Sequence, residues 1–167
     1  MGLFDAFRKK ETIALPDVSD DEIVAVADGE LIDVATVSDA VFAEKMMGES
    51  IAFTYTQDKV TVCSPANGTL SVLFPTGHAF GVTMKDGTEL LVHIGIDTVS
   101  AKGEGFKILG KKQGSTVKAG EPVIEADFRK LRQKYDMPVM LIVTNSNEHH
   151  VSFISPCKVF RGQKVNQ

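Results

Sequence analysis

At 167 residues, 43% of them hydrophobic and 24% charged, the chain suits one domain that buries about 70% of its unfolded surface without needing a metal or a disulfide. A formal net charge of −4, with no basic patch interleaved with aromatics, excludes a nucleic-acid partner. Two cysteines, Cys63 and Cys157, no secretory leader and no apolar run of about twenty residues read as a cytoplasmic protein. Both thiols are expected to be small buried hydrophobes.

Residues 1–21 are expected as a flexible tail and 22–167 as a single domain. In the tail Leu3, Phe4 and Phe7 precede Arg8, Lys9 and Lys10, a pattern that allows weak peripheral membrane contact, although plain solvation is the ordinary behaviour of a terminus. From Ile23 onward, Val- and Ile-rich runs alternate with turn residues roughly every eight to twelve positions, the pattern of an all-β fold. The expectation is an antiparallel β-sandwich, or something barrel-like, with a few short helices. Three segments look helical: 39–48, a turn around "GEGFKIL" (103–109) and 126–135, the last stopped before Pro138. The stretch 111–127, with Gly114 and Gly120, reads as a β-hairpin, and His149 and His150 as exposed loop residues.

The stretch "ELLVHIGIDTV" (89–99) carries the chemistry. Alternation puts Leu90, Val92, Ile94 and Ile96 on one face and Leu91, His93, Gly95 and Asp97 on the other, so His93 leaves the main core face. Upstream, Asp86-Gly87 is a strong hairpin signal. A loop of two or four residues pairs Met84 with Glu89, Phe80 with His93 and His78 with Gly95. His78 and His93 then become diagonal neighbours on one face, about 7–8 Å apart at Cα, over an apolar floor of Phe80, Val82 and Leu91. A three-residue loop would shift this register.

Two imidazoles in an apolar depression suit nucleophilic catalysis or metal binding. A zinc site would have only His78, His93 and Asp97 to draw on, with no HExxH and no CxxC in the chain. A serine hydrolase lacks its GxSxG elbow.

"GHAFGV" (77–82) followed by "LLVHIGIDTVSAKGEGF" (90–106) resembles the glucose-family enzyme IIA components of the bacterial sugar phosphotransferase system. "SDAVFAEKMMG", "SPANGTL", "FPTGHAF", "GEPVIEAD" and "MPVMLIVTN" extend the resemblance over roughly 22–165. It implies a six-stranded antiparallel sandwich and a phosphohistidine relay. In that relay His93 is the phosphorylated residue, His78 hydrogen-bonds the phosphoryl group, and the Thr76 hydroxyl orients the His78 ring. Phe42 and Phe74 rim the depression, Val99 joins the partner surface, and Asp39 and Asp97 are flanking carboxylates. Leu91 stands where some members carry an aromatic. The implied partners are the histidine-containing phosphocarrier protein as donor and a cysteine of a sugar-specific IIB domain as acceptor, driving sugar uptake. The carrier never touches the sugar, so its residues do not encode which sugar moves. The chain is read as free-standing, with no required cofactor. A second reading is a regulatory binding protein that docks targets according to the phosphorylation state of His93, with zinc bridging the two histidines to a partner carboxylate.

Overall fold

The structure is a computed structural model that describes residues 14–167. Apolar side chains recur at alternate positions of its strands, and two antiparallel sheets bury them against each other. In chain order the strands are β1 (Gly29–Ile32), β2 (Glu49–Thr54), β3 (Lys59–Cys63), β4 (Gly68–Leu73), β5 (Ala79–Met84), β6 (Glu89–Ile94), β7 (Phe106–Ile108), β8 (Thr116–Val117), β9 (Pro122–Asp127), β10 (Val139–Val143) and β11 (Cys157–Val159). Among the described residues one sheet has eight strands in the order β11-β1-β2-β10-β6-β5-β4-β8, and the other has three, β3-β9-β7. Neither closes into a barrel. The sheets hold more strands than the six that the family resemblance implies.

The main core fills the space between the sheets. Phe53, Phe80, Leu90, Val92, Ile94 and Leu141, each at most 2% exposed, lie in it with Val62, Ile124 and Ala126 of the smaller sheet. A second, smaller core lies on the outer face of the large sheet, where Ala52, Met140 and Ile142 are covered by Val34, Val37 and Phe42. Asp33 caps the 3₁₀ turn Val34–Thr36 by accepting from Ala35 N at 2.9 Å. Asp39 caps α1 (Ala40–Ala43) by accepting from Val41 N at 2.8 Å.

Several expectations are revised. The β5–β6 turn holds three residues: Gly87 has φ +95, the Asp86 carboxylate accepts from Thr88 N at 2.9 Å, and Met84 N donates to Thr88 O at 2.8 Å. The register therefore pairs Ala79 with His93, Phe80 with Val92 and Val82 with Leu90. Phe80 and Val82 are 0% and 1% exposed and belong to the main core, not to a surface floor. Ile96, expected to face the main core, packs in the smaller one because Gly95, at φ +78, turns the chain over. The segment around 106–108 is strand β7, paired with β9. The stretch 111–127 is no hairpin, because β8 pairs with β4 while β9 pairs with β3 and β7.

Both expected helices shrink to about a turn. Lys45 takes a left-handed φ of 54 after α1. Ala126 and Asp127 belong to β9, so α2 spans only Phe128–Leu131. Cys63 is buried as expected, but Cys157 is exposed on an edge strand of the large sheet. His150 is exposed and His149 half-buried, its Nδ1 3.3 Å from Thr88 Oγ1.

Of the segment read as a tail, residues 14–21 lie along the domain. Ala14 O accepts from Arg161 Nη2, and Val18 O accepts from Asn67 Nδ2. The apolar triplet Leu3, Phe4 and Phe7 lies outside the described residues.

Because Phe80 sits in the main core, Phe80→Ala is expected to cost about 3–5 kcal/mol in denaturant unfolding. At Val99, 56% exposed, Val99→Ala is expected to stay within about 0.5 kcal/mol. Near-equal costs would contradict the observed register.

Candidate functional site

His93 is the fifth residue of β6, on the outer face, opposite Met140 of β10 and Ala79 of β5. His78 precedes β5 in the turn that follows β4, outside the pleat of either strand. Gly77 holds φ +73 in that turn, and Phe74 N and Gly77 N close it onto Ala79 O and Phe74 O. The two rings stand 5.3 Å apart, centroid to centroid, at 80°. The histidines meet because the turn, not the strand register, delivers His78.

Each ring is oriented through Nδ1. His93 Nδ1 lies 2.8 Å from Gly95 O, and a carbonyl can only accept. The proton therefore sits on Nδ1 and the lone pair on Nε2. His78 Nδ1 lies 2.6 Å from Thr76 Oγ1, where either atom can donate. Neither Nε2 has a hydrogen-bond partner among the described residues. Tyr55 Oη is the one buried side-chain polar atom left unpartnered there. Although His78 is only 4% exposed, the nitrogens left free on both rings therefore reach the surface.

Gly95 makes this arrangement possible. Its φ of +78 suits glycine, and a Cβ there would lie 2.5 Å from Thr98 Cγ2 and 2.6 Å from Met137 Sδ.

Aromatic rings close the sides. Phe42 stacks 5.1 Å from His93 and Phe74 5.0 Å from His78, both tilted. Phe42 is 9% exposed and so acts as a wall, whereas Phe74 and Val99, at 39% and 56%, form an open rim. Leu91 is half-buried on the His93 face, against the second core. Asp39 and Asp97 both act on His93 through their charge. The Asp39 carboxylate is engaged in the α1 cap, while Asp97 is exposed, with a left-handed φ of 58.

The structure adds residues that the sequence reading passed over. Val41, 42% exposed, stands next to Phe42 on α1 and extends the apolar rim, while Met46 and Met47, exposed at 67% and 38%, line a separate cleft with Thr144, Ser146 and His150. The local signal for Val41 was an apolar residue on a one-turn helix that buries only Phe42. The two backbone-orienting residues, Gly95 and its neighbour Thr98, carry no signal in residue chemistry alone. Among the described residues no three His, Cys, Asp or Glu side chains cluster as metal ligands, so an ion held by the two Nε2 atoms would draw further ligands from elsewhere.

Residues 21–149 match the family model described as phosphoenolpyruvate-dependent sugar phosphotransferase system, EIIA 1. The chain belongs to this family. It is 38% identical to the glucose-specific EIIA component of Haemophilus influenzae over 99% of its own length and 96% of that protein's. It is also 36% identical to the glucose-specific EIICBA component of Staphylococcus carnosus over 93% of its own length, but spans only 23% of that longer protein. The solved glucose permease IIA from Mycoplasma capricolum superposes with a TM-score of 0.77 at 31% identity, covering 87% of this chain and 93% of the other. The chain thus corresponds to the EIIA part of a phosphoenolpyruvate-dependent sugar phosphotransferase system and spans about a quarter or less of the longer EIICBA relatives. No helix of the described residues is long and apolar enough to cross a membrane.

Burial pushes both EIIA imidazoles below the ordinary histidine value of 6.5. At His93 the Gly95 hydrogen bond and the two carboxylates oppose burial, and His78 adds to it. Both rings are thus neutral at pH 7. Since the folded values lie below the unfolded ones, these groups leave stability intact above pH 6.5 and reduce it as pH falls toward the folded values. Ring titration by NMR is expected to place both midpoints below 6.5, with unfolding free energy falling over the same window. A midpoint above 6.5 for His93 would contradict this.

Proposed function

We propose that His93 Nε2 accepts a phosphoryl group from the phosphohistidine of the histidine-containing phosphocarrier protein and passes it to a cysteine thiolate of a sugar-specific IIB domain. The observation that carries this reading is the Nδ1–H bond to Gly95 O, which leaves a neutral, outward-facing Nε2 lone pair beside a second imidazole. In the first step the donor's N–P bond breaks as the Nε2–P bond forms. In the second, Nε2–P breaks as S–P forms.

His78 is assigned the task of binding the phosphoryl oxygens. In this reading Thr76, 2.6 Å from His78 Nδ1, is the donor of that hydrogen bond, and the His78 proton on Nε2 is aimed at the group to be held. A loose phosphoryl transition state needs mainly in-line positioning and charge stabilisation, so two aligned imidazoles suffice and no resident cofactor is required. The rim of Phe74, Val99 and Val41 gives a partner an apolar surface and keeps water from the phosphohistidine. Asp39 and Asp97 attract a basic residue on the donor. Relatives that carry EIIC and EIIB in the same chain support a IIB domain as the acceptor.

With phosphoenolpyruvate, enzyme I and the phosphocarrier, label is expected on His93 alone, and His93→Gln is expected to take none. His78→Gln should still be labelled but pass the group to a IIB domain about a hundredfold more slowly, as for loss of one charge-stabilising donor. Label on a protein without His93 would overturn the assignment.

A further inference from the structure

The end of β6 is held by three backbone hydrogen bonds and by two from side chains. Ile94 N donates to His78 O, Gly95 N to Pro138 O and Ile96 N to Asp136 O, each at 2.8 Å. Gly95 O accepts from His93. The polar group that remains, Ile94 O, accepts from Thr98 Oγ1 at 2.5 Å. Thr98 is wholly buried, and its Cγ2 is among the atoms closest to the missing Cβ of Gly95. Its side chain therefore touches both residues of the Ile94–Gly95 peptide: the hydroxyl holds the carbonyl, and the methyl walls the glycine.

We propose that Thr98 is a positioning residue for phosphoryl transfer, a step that rests on His93 being the acceptor. Its hydroxyl and Pro138 O clamp the Ile94–Gly95 peptide plane from opposite edges. The next peptide plane, which presents Gly95 O to His93 Nδ1, is then fixed. Without the hydroxyl, the Ile94 carbonyl is buried and unpaired, and the plane turns to find a partner. The Gly95 carbonyl moves with it, and His93 loses both its fixed tautomer and its aim. Thr98 touches no reacting atom.

The test uses the full chain with Thr98→Val, which keeps the shape and removes the hydroxyl, and Thr98→Ser, which keeps the hydroxyl. Nitrogen-15 NMR of the His93 ring reads the Nδ1–H tautomer independently of any transfer. Steady-state labelling through the phosphocarrier reads kcat and KM separately. In Thr98→Val the protected Nδ1–H signal is expected to be lost. Its kcat should fall about tenfold or more, since small misplacement of a reacting group is costly. KM should hold within about twofold, because the rim is untouched, and Thr98→Ser should restore both signal and rate. If valine prevents folding, Thr98→Ala supplies the hydroxyl-free comparison under the same criteria. A wild-type tautomer signal in the folded hydroxyl-free variant, or equal losses in it and in Thr98→Ser, would overturn the proposal. Loss of the tautomer signal in a chain whose wild type takes no label would instead overturn the acceptor role of His93 and leave only the contact.

Discussion

One hydrogen bond, from His93 Nδ1 to the Gly95 carbonyl, sets the chemistry of this molecule. Because a carbonyl oxygen offers no proton, the bond decides which nitrogen of the imidazole is nucleophilic, and its length leaves the ring little freedom to swing. The bond joins residues two apart in sequence, a reach open only where the strand breaks from its pleat. Gly95 supplies the break with a left-handed φ, and Thr98 and Met137 crowd it so closely that a side chain could not enter. The nucleophile is therefore specified by the residue that ends the strand as much as by the histidine itself.

The two cores divide the remaining work. Between the sheets, the fully buried Phe53, Phe80 and Leu141 supply the area that holds the large sheet rigid. On its outer face the smaller core of Val34, Val37, Phe42 and Met140 does little for overall stability by comparison, but it sets the surroundings of His93. Burial there lowers the imidazole's affinity for protons and keeps the nucleophile neutral near pH 7. The cap made by Asp39 ties this to the sequence, since it starts the turn of helix that lays Phe42 against the histidine.

Much of this was legible in the sequence, and the failures have a common cause. Turn spacing gave the β class, and alternation along 89–94 placed His93 off the core face, as observed. The same argument misplaced Phe80 and Val82. Asp-Gly is compatible with both a two-residue turn and a three-residue turn ending in left-handed glycine, and the choice rests on the Asp86 bond to Thr88 N. A slip of one residue exchanges the faces of a whole strand. The pairing of the two histidines survived the error because His78 lies in a turn, where strand parity does not apply. Ile96, the segment at 106–108 and the shortened helices were misread for a related reason: left-handed residues such as Gly95 and Lys45, and pairing partners distant in sequence, decide them. Exposed Cys157 shows the same limit, since its edge position follows from the order of strands.

The charges around His93 suggest why such a site can both take and release its cargo. Those that act on the ring are two carboxylates and the neighbouring imidazole, with no lysine or arginine among them. A phosphoryl group bound there would bring dianionic charge next to Asp39 and Asp97, held by hydrogen bonds but not neutralised by any lysine or arginine that acts on the ring among the described residues. Solvent screens part of that repulsion at exposed Asp97, and what remains loosens the hold on the phosphorylated form. A partner that brings a basic residue across the apolar rim supplies the missing cation only while docked, stabilising the spread charge of the transition state in the complex. Solvent water brings no such cation. On this argument the lack of a lysine or arginine acting on the ring among the described residues is what lets the proposed carrier favour transfer to a protein over loss to water.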